Sequence, residues 1–76
     1  MNITVTNDIF GKNMLYLRKR FCLSKMGLAK LMGTAVVLIN LWETCQVYPT
    51  LAPDTISRIC MLFRIDSHTL FNTPLW

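Results

Sequence analysis

Apolar positions along this chain recur at helical spacing. Phe10, Met14, Leu17 and Phe21 fall at i, i+4, i+7 and i+11, the single stripe of an amphipathic helix. Asn7 or Asp8 is placed to cap that helix, which should end near Phe21 and Cys22. Lys12, Asn13, Lys19 and Arg20 lie off the stripe, and so does Leu15, which the simple wheel exposes. Ser24 is a good cap for a second helix over Lys25–Met32, with Leu28, Ala29 and Met32 inward, and Gly33 supplies a permissive turn. Thr34 is then expected to cap a third helix over residues 35–45, with Ile39 and Trp42 facing the core.

The third helix is unusual. Ala35, Val36, Val37, Leu38, Ile39 and Leu41 leave Asn40 as the polar residue of its first turns, whereas a helix of a small domain normally shows a polar face. With Ile39 set inward, Val37 and Leu41 point roughly the opposite way, so a small monomer cannot bury all of them. The surplus is either a contact surface or a core packed in an unusual way.

Beyond it, residues 46–52 read as a loop punctuated by Pro49 and Pro53, and Pro53 suits the first turn of a fourth helix. That helix should run to about Phe63 with Ile56, Ile59, Cys60 and Phe63 inward and Ser57, Arg58 and Met61 nearer solvent. Asp66 or Ser67 caps a last short helix through Phe71. Residues 1–7, with β-branched Ile3, Thr4, Val5 and Thr6, form an arm that is either disordered or a short edge strand, able if ordered to pair with a second copy. Residues 72–76 are a tail, in which Trp76 is either packed down or left as a sticky handle.

Composition sharpens this picture. The 76 residues are 53% hydrophobic and 16% charged, a thin polar coat for one small domain, which favours an oligomer or an apolar partner. Net charge is +4, and Lys12, Arg18, Lys19, Arg20, Lys25 and Lys30 gather in the first two helices, as suits a polyanion or, equally, a solvated helix face. Cys22, Cys45 and Cys60 match no zinc or redox spacing, so the reading is reduced thiols in a cytoplasmic setting with no metal site. No secretory signal is read at residues 1–8, and no stretch is long and apolar enough to span a membrane. His68 reads as solvent-facing, and the acids are Asp8, Glu43, Asp54 and Asp66. No nucleophile–base pair emerges, so neither an enzyme nor a cofactor is expected.

The order of elements, with the residues GKNMLYLRKR, LS at 23–24, LAKLMGT at 28–34 and I-x-x-WE at 39–43, resembles the phage repressor/Cro type of helix-turn-helix domain, the Xre-like family. Pro49, Pro53, TISRICMLF, Ile65, Asp66, Ser67, Leu70 and Phe71 continue the likeness, which spans about residues 10–71. The resemblance implies an all-α fold, a compact five-helix bundle over residues 8–71 with its helix-turn-helix at 24–43. It also implies a partly buried ion pair between Arg18 and Glu43, double-stranded DNA as partner, and a third helix that enters the major groove.

The chain departs from the family where bases should be read: Ala35, Val36, Val37 and Leu41 replace polar residues, and apolar side chains reach only a thymine methyl. The candidate DNA or partner surface is therefore Lys25, Thr34, Ala35, Val36, Val37, Leu38, Asn40, Leu41 and Thr44, with Lys12, Lys19 and Arg20 as candidate phosphate contacts. Two readings follow: a weakly selective DNA-binding transcription regulator, or a protein-interaction module that meets a repressor-like protein (as an antirepressor or modulator) or a second copy through its third helix. The family also favours Gly where Cys22 and Cys45 stand, which implies mild strain or a differently shaped turn there.

Overall fold

Five helices and a two-residue strand pair account for the chain in this computed structural model, which describes residues 2–76. The helices are α1 (Ile9–Arg20), α2 (Lys25–Met32), α3 (Val36–Glu43), α4 (Pro53–Phe63) and α5 (Ser67–Asn72). Ser24 caps α2 as its sequence suggests: its Oγ accepts from the Gly27 amide at 2.9 Å. Pro53 opens α4, where its missing N–H costs nothing. The third helix is shorter than expected, because Ala35 and not Thr34 holds the cap position and the helix stops at Glu43.

One turn recurs. An amide two or three residues past α1, α2, α3 and α4 returns to a carbonyl in the last helical turn: Leu23 N to Arg18 O at 2.9 Å, Thr34 N to Ala29 O at 3.0 Å, Gln46 N to Leu41 O at 3.2 Å and Ile65 N to Cys60 O at 3.1 Å. This closure puts one residue in the left-handed region: Cys22 (φ 56°), Gly33 (66°), Cys45 (56°) and Arg64 (58°). Gly33 takes that conformation freely. Cys22, Cys45 and Arg64 carry a Cβ and are strained by it, so the cysteines keep the turn shape that glycine would give.

The core gathers Phe10, Met14 and Leu17 of α1, Leu28, Ala29 and Met32 of α2, Ile39 and Trp42 of α3, Ile56, Ile59 and Phe63 of α4, and Leu70 of α5. Phe10 meets Trp42 edge-on at 5.6 Å between ring centroids. Phe21, read as the end of the inward stripe, is instead partly exposed and rests edge-on against Phe63 at 5.0 Å. Leu15, read as exposed, is half-buried.

Three features went beyond the helical pattern. The amino-terminal segment is neither disordered nor left for a second copy: Ile3–Thr4 pairs antiparallel with Thr50–Leu51 of the same chain, and Val5 is buried. Met1 of the expected arm lies outside the described residues. Asn13, placed off the stripe, is fully buried between α1 and α5. Its Nδ2 donates to Leu70 O (2.9 Å), Thr73 O (2.9 Å) and, at longer range, Thr69 O (3.4 Å), while its Oδ1 accepts from the Leu75 amide at 2.9 Å. Gly11 lets α1 and α3 touch, since a Cβ there would stand 2.1 Å from the Trp42 carbonyl oxygen.

Candidate interface on the helix-turn-helix

The α2–α3 pair is positioned by contacts that leave one face of α3 outward. The axes turn through 113° across the Gly33 turn, within the range of helix-turn-helix units. Ala29, at the crossing, is buried and small enough to let the helices approach. Arg58 of α4 donates from Nη1 to Met32 O at 3.1 Å, anchoring the end of α2. Arg18 and Glu43 form a two-pronged pair, Nε to Oε2 at 2.7 Å and Nη2 to Oε1 at 3.1 Å, and Arg18 Nη1 adds a bond to Leu23 O at 2.9 Å. One guanidinium thereby ties α3, α1 and the α1–α2 turn together. Both groups are buried and mutually satisfied, which places their role in structure.

On the outward face, Val36, Val37 and Leu38 are 43%, 59% and 40% exposed and adjacent, a contiguous apolar patch. Ala35 is exposed beside them, and Leu41 is half-buried, so the patch is narrower than the wheel suggested. The polar groups around it are largely engaged within the chain. Lys25 Nζ donates to Asn40 Oδ1 at 2.6 Å, spanning from the first residue of α2 to the middle of α3. The Thr44 hydroxyl donates back to Asn40 O at 2.8 Å, and Thr34 is half-buried in the turn. Among the described residues, the Asn40 amide nitrogen makes no hydrogen bond and is the remaining side-chain donor next to the valines.

The overall geometry matches a solved repressor. The chain superimposes on the P22 c2 repressor, determined in complex with synthetic operator 9T in the presence of Tl+, with a TM-score of 0.73 over 90% of this chain and 98% of that one, at 19% identity. The fold is that of a phage repressor's helix-turn-helix. No known family profile matches the sequence, and no curated protein does.

The α1 cations are divided by the structure. Arg18 is consumed by Glu43. Lys12 and Lys19 share an outward stripe of α1 with Leu15 and Tyr16, beside Trp76, while Lys25 stands with α3. Arg18, Lys19 and Arg20 occupy the last turn of α1, where positive charge also offsets the helix dipole. Burial pushes the Cys45 and Cys60 thiols up from their ordinary values, aided by Asp8 and Asp66 respectively, and Lys12 opposes the shift at Cys45. Neither is poised as a nucleophile. Among the described residues no group of His, Cys, Asp or Glu is arranged to hold a metal, and no single helix is long and apolar enough to cross a membrane.

Sequence reasoning missed Asn13 and Gly11. A glycine inside a helical pattern is a signal of close backbone approach, so Gly11 was findable. Asn13 was not, because its partners are carbonyls and an amide near the far end of the chain.

Proposed function

We propose that this chain is a small helix-turn-helix transcription regulator of the Xre-like kind, working on double-stranded DNA in the cytoplasm, with α3 as the groove-facing helix. The observation that carries the reading is the construction of the α2–α3 unit: the Ser24 cap, the Gly33 turn and the Arg18–Glu43 tie hold α3 with its first turn outward, in a fold shared with a repressor solved on operator DNA. Lys25 and the amino-terminal end of α2 serve the phosphate backbone. Val36 and Val37 contact thymine methyls, and the Asn40 amide supplies the hydrogen-bonding contact to a base edge. Such a site reads sequence weakly and depends strongly on salt.

A mobility shift on mixed and thymine-rich duplexes at low salt tests this. Binding should fall steeply as salt rises, and replacing thymine by uracil should weaken it about fourfold per lost methyl contact, from ~0.8 kcal/mol per buried carbon. Absence of binding at low salt would overturn the proposal.

One observation favours a second reading, an interaction module on the same scaffold. Val36, Val37 and Leu38 are exposed together while Lys25 is turned onto Asn40, so the patch suits a protein surface, either a repressor-like partner or a second copy. Sedimentation decides it. Val36→Lys with Val37→Lys should abolish association and leave helicity intact, and a chain that stays monomeric both alone and with repressor-like proteins would exclude this reading.

A further inference from the structure

Trp76 and the outward face of α1 are not used by the helix-turn-helix. Lys12, Leu15, Tyr16 and Lys19 recur at i, i+3, i+4 and i+7, one stripe of α1. The stripe lies about 100° round the helix from Gly11 and Arg18, which face α3. Trp76 lies beside it, and together they line a cleft of 430 Å³. The cleft is open to solvent, a shallow seat for a side chain and not an enclosed cavity.

The segment carrying Trp76 is fixed in place. Asn13 accepts from the Leu75 amide and donates to Thr73 O, so a fully buried side chain holds the residues next to Trp76. Trp76 is nevertheless 56% exposed. Lys12 Nζ stands 5.4 Å from its centroid, a cation–π contact that orients both groups. The side-chain charge of the cleft has one sign: Lys12 and Lys19 stand two turns apart, ~10 Å along the axis, and among the described residues no Asp or Glu side chain lines the space between them.

We propose that this cleft binds an acidic segment of a partner protein. One apolar or aromatic side chain of the segment sits on Leu15 and Tyr16 against Trp76, and flanking carboxylates pair with Lys12 and Lys19. Single-stranded nucleic acid is the poorer fit: the Lys12 ammonium stands over the Trp76 ring on which a base would stack, and Leu15 offers an aliphatic surface beside Tyr16. The cleft and the α3 face are separate surfaces, so the proposal stands independently of what α3 contacts.

The probe is a short synthetic peptide with a central phenylalanine between glutamates, titrated at low salt into the isotope-labelled full chain and followed by amide NMR. Shifts should be confined to Lys12, Leu15, Tyr16, Lys19 and Trp76, including the Trp76 indole N–H. Lys12→Glu with Lys19→Glu, and separately Trp76→Ala, should each weaken binding by about tenfold or more, as expected for anchor residues. These side chains lie outside the core, and an unchanged thermal unfolding curve for each variant excludes misfolding as the cause. The proposal is overturned if the peptide shifts no resonance, if its shifts fall on α3, if a lysine-flanked control binds as well, or if an oligothymidylate occupies these residues in preference to the peptide.

Discussion

Asn13→Ala should be among the most damaging polar substitutions in the molecule. The side chain makes three bonds of 2.9 Å, to Leu70 O, Thr73 O and from the Leu75 amide, and a longer one to Thr69 O. At a net ~0.5–1.5 kcal/mol each, the short bonds contribute about 1.5–4.5 kcal/mol, and their loss strands buried partners at the end of α5. Alanine returns at most ~0.7 kcal/mol in helix propensity. A domain of this size has a total stability of about 4–11 kcal/mol. The substitution therefore removes a large share of it and should lower the urea midpoint by about 1 M or more, given m near 1–2 kcal/mol per M. Native-state hydrogen exchange should show the Leu75 amide losing protection before the core amides do. Asn13→Asp is the sharper variant, because a carboxylate turned onto the Leu70 and Thr73 carbonyls repels them. It should be less stable than Asn13→Ala at neutral pH and recover as acid protonates it. A midpoint shift below about 0.3 M, with Leu75 still protected, would refute the reasoning.

Four further outcomes follow from the geometry. Gly11→Ala places a carbon 2.1 Å from Trp42 O and should cost about 3 kcal/mol by forcing α1 and α3 apart, a fall of over ~10 °C in Tm by calorimetry. Cys22→Gly and Cys45→Gly should each raise stability by about 0.5–1 kcal/mol in urea titrations, the relief of left-handed strain less the entropy of glycine. Glu43→Ala strands Arg18 and should cost ~3–5 kcal/mol, whereas Arg18→Met combined with Glu43→Leu should restore most of it in a double-mutant cycle. Cys45 and Cys60 should alkylate more slowly than free cysteine near neutral pH, by mass-spectrometric rate. The stability tied to their raised thiols is complete below the ordinary thiol range and is lost as pH rises through the folded values.

The helices were legible because each carries its own punctuation. Ser24, Gly33 and Pro53 act within a few residues of themselves, and the structure uses each as local chemistry suggests. The Phe10–Met14–Leu17 stripe and the inward Ile39 follow from periodicity alone. What escaped was non-local. Thr50–Leu51 is too short to show an alternating pattern, and its partner Ile3–Thr4 lies at the other end of the sequence. Asn13 looks like a surface residue until α5 arrives with exposed carbonyls. Phe21 departs from the wheel because packing at a helix end is decided by neighbours such as Phe63, and Leu15 because the chain brings Trp76 to the same cleft. At the candidate interface, the residue types of the α3 face could be read directly, but the Lys25–Asn40 bond and the separation of Lys12 and Lys19 from α3 could not.

The two proposed functions make different demands on the apolar face of α3. Ile39, Trp42 and Glu43 are the buried residues of this helix and occupy its inner side. Val36, Val37 and Leu38 keep a large part of their apolar surface in solvent, which works against solubility. Under either proposed function their chemistry answers to something outside the chain. Against DNA, each valine is limited to isolated methyl contacts, and most of the affinity must come from cations, of which Lys25 stands at this face and is turned onto Asn40. Against protein, the whole patch is desolvated at once, at ~25 cal/mol per Å² of apolar area. The two modes thus differ in what salt does to them. An α3-dependent association that weakens steeply with salt belongs to phosphate contacts. One that persists in high salt and disappears with Val36→Lys and Val37→Lys belongs to the apolar patch itself.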